Sequence, residues 1–270
     1  MNQKFKLGLD GIAVLIGSYI VASLILAVYT IANVFILKEE VATSMGLSLV
    51  SFVLSLGVPI VAFDIFIVRP QTKKPLRLGV GNVTASNVLL SLMMMVGMVL
   101  MAEVLTSFIP TEGGILGELY DTFMGVFKGM LNDKVGLAIM VVCLAPLLEE
   151  VLFRGIIQGG LTNKGVAPKK AIVISALVFG IVHANPWQLV GAFLLGLVLG
   201  LVYFKTKSIV IPILLHAFNN FISYLMLVYA DTEHSYELLG INKIVSFIIG
   251  MVIFGVAYYL FMHRKTHFTK

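Results

Sequence analysis

The sequence has 270 residues, of which 59% are apolar and only 12% are charged, and its mean hydropathy is +1.01. Soluble proteins carry about 25% charged residues, so this chain has too little polar surface to cover a water-soluble globule. These values exclude a secreted domain, a nucleic-acid-binding protein and a cytosolic enzyme. They predict an integral membrane protein whose main partner is the lipid bilayer.

Eight apolar runs are candidates for membrane-spanning helices, because a bilayer core of about 30 Å needs about 20 apolar residues in a helix. They cover residues 11–37, 47–68, 84–109, 135–158, 170–185, 188–204, 208–230 and 242–262. The fifth and sixth runs are short and are separated by a turn signal, Asn185-Pro186-Trp187, so we expect a tight helical hairpin there. The prediction is an all-α polytopic bundle of about eight transmembrane helices, forming one integral membrane domain over residues 1–270.

The connections between these runs alternate between basic and acidic. One set contains fourteen of the nineteen basic residues, namely Lys4, Lys6, Arg69, Lys73, Lys74, Arg77, Lys164, Lys169, Lys170, Lys205, Lys207, Arg264, Lys265 and Lys270. The other set contains most of the acids, namely Glu39, Glu40, Glu112, Glu118, Asp121, Asp133, Asp231, Glu233 and Glu237. Because basic loops stay in the cytoplasm, we expect a multi-pass protein of the cell membrane with both termini cytoplasmic.

Two further segments have a predicted structural role. Residues 114–130 place apolar side chains at helical spacing among charged ones, which predicts an interfacial helix that acts either as a structural lid or as a substrate gate. The single cysteine, Cys143, lies in an apolar run, so it excludes a Cys-rich metal cluster and is expected to be a small core residue.

Six polar residues stand inside the predicted spans, where a charge costs about 2.5 to 3.5 kcal/mol. They are Glu149, Glu150 and Arg154 on the fourth span, His183 on the fifth, and His216 and Asn220 on the seventh. Asp64 and Glu103 lie nearer the ends of their helices and are expected to have structural or interfacial roles. The six buried residues are therefore the candidate functional site.

The spacing of these residues predicts how they face one another. Glu150 and Arg154 are four residues apart, so they can form an ion pair along one face of a helix, and His216 lies four residues before Asn220 in the same way. Glu149 is rotated by about 100° from its neighbour. We therefore expect one carboxylate to be held by the arginine and the other to face a substrate.

Such a set of residues has the components of a hydrolytic site. A carboxylate and an imidazole can activate water as a general base, and a second imidazole with an amide donor can stabilise an oxyanion. The same residues, Glu149, His183 and His216, could instead bind a divalent metal such as zinc. A structural polar network and a transporter or proton relay are further alternatives, although the sequence shows no inverted repeat.

The three pairs of positions resemble the motifs of a known family. Two Glu residues followed by Arg, a Phe followed by His, and a His followed by Asn occur in this order, each on its own span, as Glu149-Glu150 with Arg154, Phe179 with His183, and His216 with Asn220. This pattern, within a core of about residues 135–225, resembles the CPBP intramembrane protease family, which includes the CAAX prenyl proteases and the bacteriocin-processing (Abi) proteins.

The resemblance implies a role for each matched position. Glu149 would be the base that activates water, assisted by His183, while His216 and Asn220 would stabilise the oxyanion. The implied activity is an intramembrane endopeptidase that hydrolyses a peptide bond of a membrane-associated or hydrophobic peptide.

The resemblance also implies an all-helical fold whose catalytic cavity opens toward the cytoplasm, with Glu150 and Arg154 organising the site. Members of the family are labelled metalloproteases, but a metal-free glutamate mechanism has also been proposed, so the cofactor stays open between none and a metal such as zinc. A non-catalytic bacteriocin-immunity or regulatory membrane protein is the alternative function.

Overall fold

The computed structural model describes residues 4–32, 45–230, 232 and 234–264, and this part of the chain is helical without a strand. We number its helices in chain order. They are α1 (Leu9–Ala32), α2 (Met45–Thr72), α3 (Ala85–Thr106), α4 (Gly114–Met130), α5 (Lys134–Asn163), α6 (Pro168–Ile181), α7 (Pro186–Thr206), α8 (Val210–Ala230), α9 (Ser235–Leu238) and α10 (Lys243–His263).

The helices confirm the predicted all-α polytopic bundle. Among the described residues, seven helices are long and apolar enough to cross a membrane, namely α1, α2, α3, α5, α7, α8 and α10. The remaining predicted span is α6, which has 14 residues and at 1.5 Å per residue reaches only about 21 Å. The last residues of the first predicted span, 33–37, lie outside the described part of the chain.

The predicted hairpin between the fifth and sixth spans is present as α6 and α7, which pack against each other. Asn185 ends the turn and caps α7, because its side-chain oxygen accepts a hydrogen bond from the backbone N–H of Gln188 at 2.8 Å. Pro186 follows at the first position of the helix, where its missing N–H is not needed.

Helix α5 occupies the centre of the bundle and contacts α2, α6 and α8, while α3 packs along α7 and α10. The closest of these contacts joins two glycines. A Cβ atom on Gly97 of α3 would lie 2.7 Å from the backbone oxygen of Gly250 of α10, and one on Gly250 would lie 2.7 Å from the backbone oxygen of Gly97. Only glycine permits this approach, a common device in membrane helices.

Helix α5 is not a regular α-helix along its length. Residues Ile139–Leu144 and Val151–Gln158 are π-helical, and the stretch Ala145–Glu150 between them is α-helical. Pro146 begins the middle stretch and has no N–H to continue the preceding hydrogen-bond pattern. The wider π-helical turns, which often occur at functional sites, lie directly on both sides of the Glu149-Glu150 pair.

The described residues of the basic connections and those of the acidic connections lie at opposite ends of the bundle. At the basic end, the backbone N–H of Leu7 donates to Gly160, that of Asn82 donates to Thr206, and the Lys205 ammonium donates to carbonyls at the end of α10. At the acidic end, the backbone N–H of Ser235 donates to Glu103 on α3, the Tyr224 hydroxyl donates to the carbonyl of Lys134, and Met45 packs on Leu137. We use the terms basic end and acidic end in this sense below.

The expectation that Cys143 is a core residue is wrong. Its side chain is exposed on α5, within the π-helical stretch Ile139–Leu144. Because the chain is so apolar, the surface of a membrane-spanning helix is as apolar as its interior, and hydropathy does not separate the two. Many large apolar side chains on α1 and α10 are exposed in the same way, as expected for helices that face lipid.

Candidate active site

A buried ion pair lies at the centre of the candidate site. The Arg154 guanidinium donates through Nη1 to Oε1 of Glu150 at 2.9 Å, and both side chains are fully buried. The guanidinium also donates to the backbone oxygen of Gly196 on α7 at 3.4 Å and lies 4.5 Å from the centre of the Phe179 ring. The predicted pairing of Glu150 with Arg154 is therefore present, and it connects α5 with α6 and α7.

His216 of α8 lies between the two carboxylates. Its Nδ1 is 2.9 Å from Oε1 of Glu150, and its Nε2 is 3.7 Å from Oε2 of Glu149. The first distance is a hydrogen bond, whereas the second is too long for one. Because a hydrogen bond at one ring nitrogen orients the other, the buried Glu150 directs Nε2 of His216 toward Glu149.

The two adjacent glutamates face different surroundings, as their rotation around the helix predicts. The Glu150 side chain is completely buried among its partners, whereas the Glu149 side chain is 14% exposed and lines a cavity. Glu149 is therefore the carboxylate that a substrate can reach, and Glu150 is the one that is held in place.

His183 lies in the turn after α6 and reaches the cavity from another direction. Its Nδ1 is 2.7 Å from the backbone oxygen of Phe179, so Nδ1 carries the proton and Nε2 is left as the acceptor. The Phe179 ring is 5.0 Å from the His183 ring and 5.6 Å from the His216 ring, centre to centre. This phenylalanine, which belongs to the second motif, thus contacts both imidazoles and the Arg154 guanidinium.

Asn220 follows His216 by one helical turn and also lines the cavity. Its side-chain nitrogen donates to the backbone oxygen of Val141 at 2.8 Å, in the first π-helical stretch of α5. The neighbouring Asn219 donates to the side-chain oxygen of Asn220 at 3.2 Å. An amide nitrogen has two N–H groups, so one of the two donors of Asn220 is used by Val141.

The structure brings all six predicted residues together, four at the cavity and two beneath it. The cavity has a volume of about 450 Å³, within the range of ligand sites. Most of its wall is apolar or aromatic. Its residues include, besides Glu149, His183, His216 and Asn220, the side chains of Phe52, Met95, Val99, Tyr120, Phe123, Phe127, Met140, Phe179, Trp187, Leu195, Asn219 and Ser223.

The cavity reaches the acidic end of the bundle. Its outer wall is formed by Glu103 and Thr106 at the end of α3, by the inner face of α4, and by Thr232 and His234 before α9. A second, smaller cavity of about 60 Å³ lies at the basic end and shares no lining residue with the first.

The candidate metal ligands Glu149, His183 and His216 do not form a metal site as they are placed. Within the part of the chain that the structure describes, no three His, Cys, Asp or Glu side chains are arranged so that they could hold a metal ion. Nδ1 of His216 is hydrogen-bonded to Glu150, and Nδ1 of His183 to the backbone oxygen of Phe179. A metal-binding imidazole commonly holds its second nitrogen in such a hydrogen bond, so Nε2 of each ring is the atom that a metal would use.

The two remaining intramembrane acids have the structural contacts that we expected. Asp64 pairs with Arg69 at 2.8 Å and accepts a hydrogen bond from the backbone N–H of Leu76, which holds the connection after α2. Glu103 accepts hydrogen bonds from the backbone N–H and the hydroxyl of Ser235 and so attaches α9 to α3. Glu103 also contributes to the outer wall of the cavity.

Sequence reasoning missed Gln158, which extends the buried network. This side chain is 2% exposed, and its nitrogen donates to the backbone oxygen of Gly200 at 2.8 Å, as Arg154 does to Gly196 one turn away. The sequence did contain a signal for this contact. Gln158 follows Arg154 by four residues, and Gly196 and Gly200 on the neighbouring helix have the same spacing. Asn219 was missed because the neighbouring Asn220 carries the motif.

Comparison with known proteins agrees with this geometry. Residues 131–222 match the family model described as type II CAAX prenyl endopeptidase Rce1-like. This segment contains α5, α6, α7 and most of α8, and therefore all six site residues. The resemblance to the CPBP intramembrane protease family is therefore confirmed for this segment, which is about a third of the chain.

Three curated proteins are similar to parts of the chain. The "Putative membrane peptidase YdiL" of Bacillus subtilis (strain 168) is 40% identical over 75 residues, which are 28% of this chain and 30% of that protein. UPF0177 protein YxdF of Lactococcus lactis subsp. lactis (strain IL1403) is 35% identical over 104 residues, 37% of this chain and 54% of that protein. Membrane-embedded CAAX protease MroQ of Staphylococcus aureus (strain USA300) is 36% identical over 83 residues, 28% of this chain and 33% of that protein.

The aligned part thus spans between about a third and a half of the length of these relatives. No solved structure matches the chain.

Proposed function

We propose that this protein is an intramembrane endopeptidase that hydrolyses a peptide bond of a hydrophobic or membrane-associated peptide. One observation carries the proposal: Glu149, His183, His216 and Asn220, from three separate helical segments, line one cavity within the bundle. The match of residues 131–222 to the Rce1-like family model supports the same activity.

Glu149 is the proposed general base. Its side chain is the only acidic group of the buried network that reaches the cavity, and no hydrogen bond to a positively charged group occupies it, because the His216 Nε2 atom is 3.7 Å away. A water molecule that donates a proton to this carboxylate would attack the carbonyl carbon of the peptide. General base catalysis of this kind contributes about 10² to 10⁴-fold to a rate.

His216 and Asn220 are the proposed oxyanion donors. In the proposed mechanism His216 carries a proton on both ring nitrogens, so that Nδ1 donates to Glu150 and Nε2 can donate to an oxyanion in the cavity. The second N–H of Asn220 supplies the other donor.

His183 is the proposed partner of the base in proton transfer. Because its Nδ1 donates to the backbone oxygen of Phe179, its Nε2 lone pair is available at the cavity. Once Glu149 has taken the first proton of the water, this atom can take the second from the hydroxyl group of the tetrahedral intermediate and deliver it to the leaving amine. Every step of this proposal is assigned to side chains of the chain itself.

Glu150 and Arg154 are proposed to position the reacting groups without contacting the substrate. Their ion pair is fully buried, and Glu150 fixes the orientation of His216 through the 2.9 Å contact with Nδ1. A small error in the orientation of a catalytic group can reduce the rate strongly. Glu150 therefore contributes to the rate by orienting His216, without contact with the substrate.

The test is a proteomic comparison of membranes that carry the wild-type protein, Glu149→Gln or Glu112→Gln. The first substitution removes the base and keeps the size of the side chain, whereas the second changes an exposed glutamate before α4 that does not line the cavity. We expect a hydrophobic peptide to accumulate uncut in the Glu149→Gln membranes alone. The purified protein should then cleave that peptide.

Full cleavage by purified Glu149→Gln protein would contradict the proposal. A cellular phenotype that survives Glu149→Gln combined with His183→Ala would instead support the alternative, a non-catalytic immunity or regulatory role.

A further inference from the structure

The second cavity, at the basic end of the bundle, lies apart from the candidate active site. Its volume is about 60 Å³, and it is bounded by the last turns of α5, by the end of α7 and by the connection that follows α2. None of its lining residues lines the larger cavity around Glu149. The proposed peptidase mechanism therefore assigns no role to this second cavity.

Hydrogen bonds between separate parts of the chain hold the walls of the second cavity in place. The side-chain nitrogen of Asn163 on α5 donates to the backbone oxygen of Phe5 at 2.9 Å, and both residues line the cavity. The backbone N–H of Ile209, just after α7, donates to the backbone oxygen of Gly79 in the connection after α2, also at 2.9 Å. The cavity is therefore preformed, because these bonds fix its walls relative to one another.

The lining of the second cavity is positively charged. Arg77 and Lys207 contribute to it, and the described residues that form the lining include no Asp or Glu. Lys207 is partly buried, with its ammonium 4.1 Å from the centre of the Phe204 ring, whereas Arg77 is exposed. A lining with two cations and no acid attracts an anion, and the planar guanidinium is suited to bind phosphate oxygens.

Gln158 adds a hydrogen-bond acceptor to the same cavity. Its side chain is 2% exposed, and its Nε2 donates to the backbone oxygen of Gly200 at 2.8 Å, which fixes the orientation of the amide. Its Oε1 accepts no hydrogen bond from any residue that the structure describes. Because a buried acceptor without a donor is costly, a ligand group that carries an O–H or N–H would be favoured here.

A glycine leaves the space that such a ligand would fill. A Cβ atom on Gly159 would lie 3.4 Å from the backbone oxygen of Arg154 and 3.7 Å from the hydroxyl oxygen of Tyr203, both ordinary contact distances. An alanine would therefore fit at this position, and the glycine keeps the space open. The cavity has room for about five atoms of the size of a water molecule, which matches a phosphate group with one hydroxyl beside it.

We propose that the second cavity binds a phosphate ester that carries a free hydroxyl group, supplied as the headgroup of a membrane lipid. The phosphate oxygens accept hydrogen bonds from the guanidinium of Arg77, the ammonium of Lys207 and the hydroxyl of Tyr203. The hydroxyl group of the ligand donates to Oε1 of Gln158. This binding is independent of the proposed peptidase activity, since none of these residues touches the substrate.

The position of the second cavity favours a lipid as the source of the phosphate ester. Lys207 directly follows the last residue of α7, and Arg77 lies in the connection after α2. Both cations thus lie at the ends of membrane-spanning helices, at the level of the lipid headgroups. Basic pockets between spanning helices bind anionic headgroups at this level.

The experiment measures lipid binding to the purified, delipidated full-length protein by native mass spectrometry. Three probes are compared: phosphatidylglycerol, phosphatidylethanol with the same acyl chains, and free glycerol 3-phosphate. The two lipids have the same charge, but only phosphatidylglycerol carries free hydroxyl groups. We expect phosphatidylethanol to bind about three- to tenfold more weakly, the usual effect of one hydrogen bond, and free glycerol 3-phosphate to bind more weakly than phosphatidylglycerol.

Two lysines at the basic end provide a matched pair of variants. Lys73 and Lys207 each follow the end of a helix with a left-handed backbone, at φ values of 59° and 55°, but only Lys207 lines the cavity. We expect Lys207→Gln to weaken phosphatidylglycerol binding about tenfold or more, the usual effect of losing a hydrogen bond to a charged group. Lys73→Gln removes the same charge from the same end and should leave binding unchanged.

Two further variants keep both cations of the lining. Gly159→Ala fills part of the cavity, and Tyr203→Phe removes only a hydroxyl group. Both should weaken phosphatidylglycerol binding, while thermal unfolding of the delipidated proteins should show no loss of stability relative to wild type. This second measurement separates a filled or altered site from a misfolded protein.

Binding of phosphatidylglycerol to Lys207→Gln and Gly159→Ala as tightly as to wild type would overturn the proposal, and so would the absence of binding to the wild-type protein. Equal binding of phosphatidylglycerol and phosphatidylethanol would overturn the recognition of the hydroxyl group by Gln158. If free glycerol 3-phosphate binds as tightly as phosphatidylglycerol and is lost in the same variants, the chemistry of the site is supported and the lipid is overturned as its source.

Discussion

At the scale of single residues, the buried Glu150 and Arg154 pair has an energetic consequence that an exposed pair would not have. Both charges have left water, and they are stabilised by each other, by hydrogen bonds with His216 and Gly196, and by the Phe179 ring beside the guanidinium. Removing one partner of such a pair leaves an uncompensated buried charge, which costs about 3 to 5 kcal/mol. Removing both partners of the pair costs far less stability, because no unpaired charge remains buried.

Arg154→Met should therefore destabilise the protein strongly, and Glu150→Gln added to it should restore most of the lost stability. Neither variant should be active, because the single variant leaves Glu150 without its arginine and the double variant also removes the charged partner of His216. Thermal unfolding of the purified proteins in detergent measures the first effect, and peptide cleavage measures the second. Equal unfolding temperatures of the single and the double variant would contradict the assignment of a coupled buried pair.

Asn220→Ala should reduce kcat by about 10² to 10³-fold, the usual effect of removing one oxyanion donor, while KM changes little. Asn219→Ala is the control, since its amide contacts Asn220 and lines the cavity but is not a proposed donor to the oxyanion. We expect a much smaller decrease for the control. If the two variants lose activity equally, Asn220 acts through the amide pair and not as the oxyanion donor.

How well the residues could be predicted from the sequence depends on what each prediction required. Glu150 and Arg154 were paired correctly because four-residue spacing brings side chains together in any helix-like turn. The approach of His216 to both glutamates, and the contact of Asn220 with Val141, depend on how separate helices pack. Spacing within one helix carries no information about such contacts.

At the scale of helices, α4 forms one wall of the cavity. A fixed lid and a substrate gate are the two roles that the sequence predicts for it. Tyr120, Phe123, Met124 and Phe127 line the cavity from one face of this helix, and the Tyr120 ring contacts the Trp187 ring at 5.0 Å. Val126 lies on the opposite face and is 58% exposed. This pair of faces offers a matched comparison.

Phe123→Ala should raise KM, because the substrate loses an aromatic contact with the cavity wall, and should leave kcat nearly unchanged. Val126→Ala should alter neither, because its side chain points away from the cavity. Both values are read from cleavage kinetics with the peptide identified by proteomics. A decrease in kcat at constant KM would instead indicate that α4 positions the catalytic groups.

The contact between α3 and α10 predicts a difference between two glycines of one helix. Gly250→Ala would place a Cβ atom 2.7 Å from the backbone oxygen of Gly97, whereas Gly255→Ala meets nothing within 4 Å. Forcing an extra atom into a packed contact costs about 1 to 3 kcal/mol. We therefore expect a lower unfolding temperature for Gly250→Ala than for Gly255→Ala. Equal unfolding temperatures of the two variants would show that α3 and α10 can move apart without loss of stability.

The positions of the helices were predictable, but their internal geometry was not. Apolar length alone located the spans, because no other backbone conformation satisfies its hydrogen bonds in lipid. The π-helical stretches of α5 have no such signature: Val151–Gln158 contains no proline, and only Pro146 marks the neighbouring break. The exposed position of Cys143 was missed for a related reason, since lipid-facing and buried residues are equally apolar.

At the scale of the whole molecule, the segment that carries the family motifs is only part of one packed structure. Leu199 of α7 and Ile211 of α8 belong to a core cluster that also contains Met94 of α3 and Phe261 of α10. Phe153 of α5 likewise packs in a cluster with Phe5 and with Phe63 of α2. The helices outside residues 131–222 therefore complete the core around the site.

This arrangement predicts that residues 131–222 do not fold alone, as the single domain predicted from the sequence also requires. A fragment limited to this segment would expose the faces of α7 and α8 that α3 and α10 cover, and would lack the partners of Phe153 on α2. We expect the fragment to aggregate on size-exclusion chromatography in detergent and to be digested rapidly by protease, whereas the full chain gives one resistant species. A monodisperse, protease-resistant fragment would show instead that the motif-bearing core is a domain of its own, and that the remaining helices serve only to shape the access of the substrate.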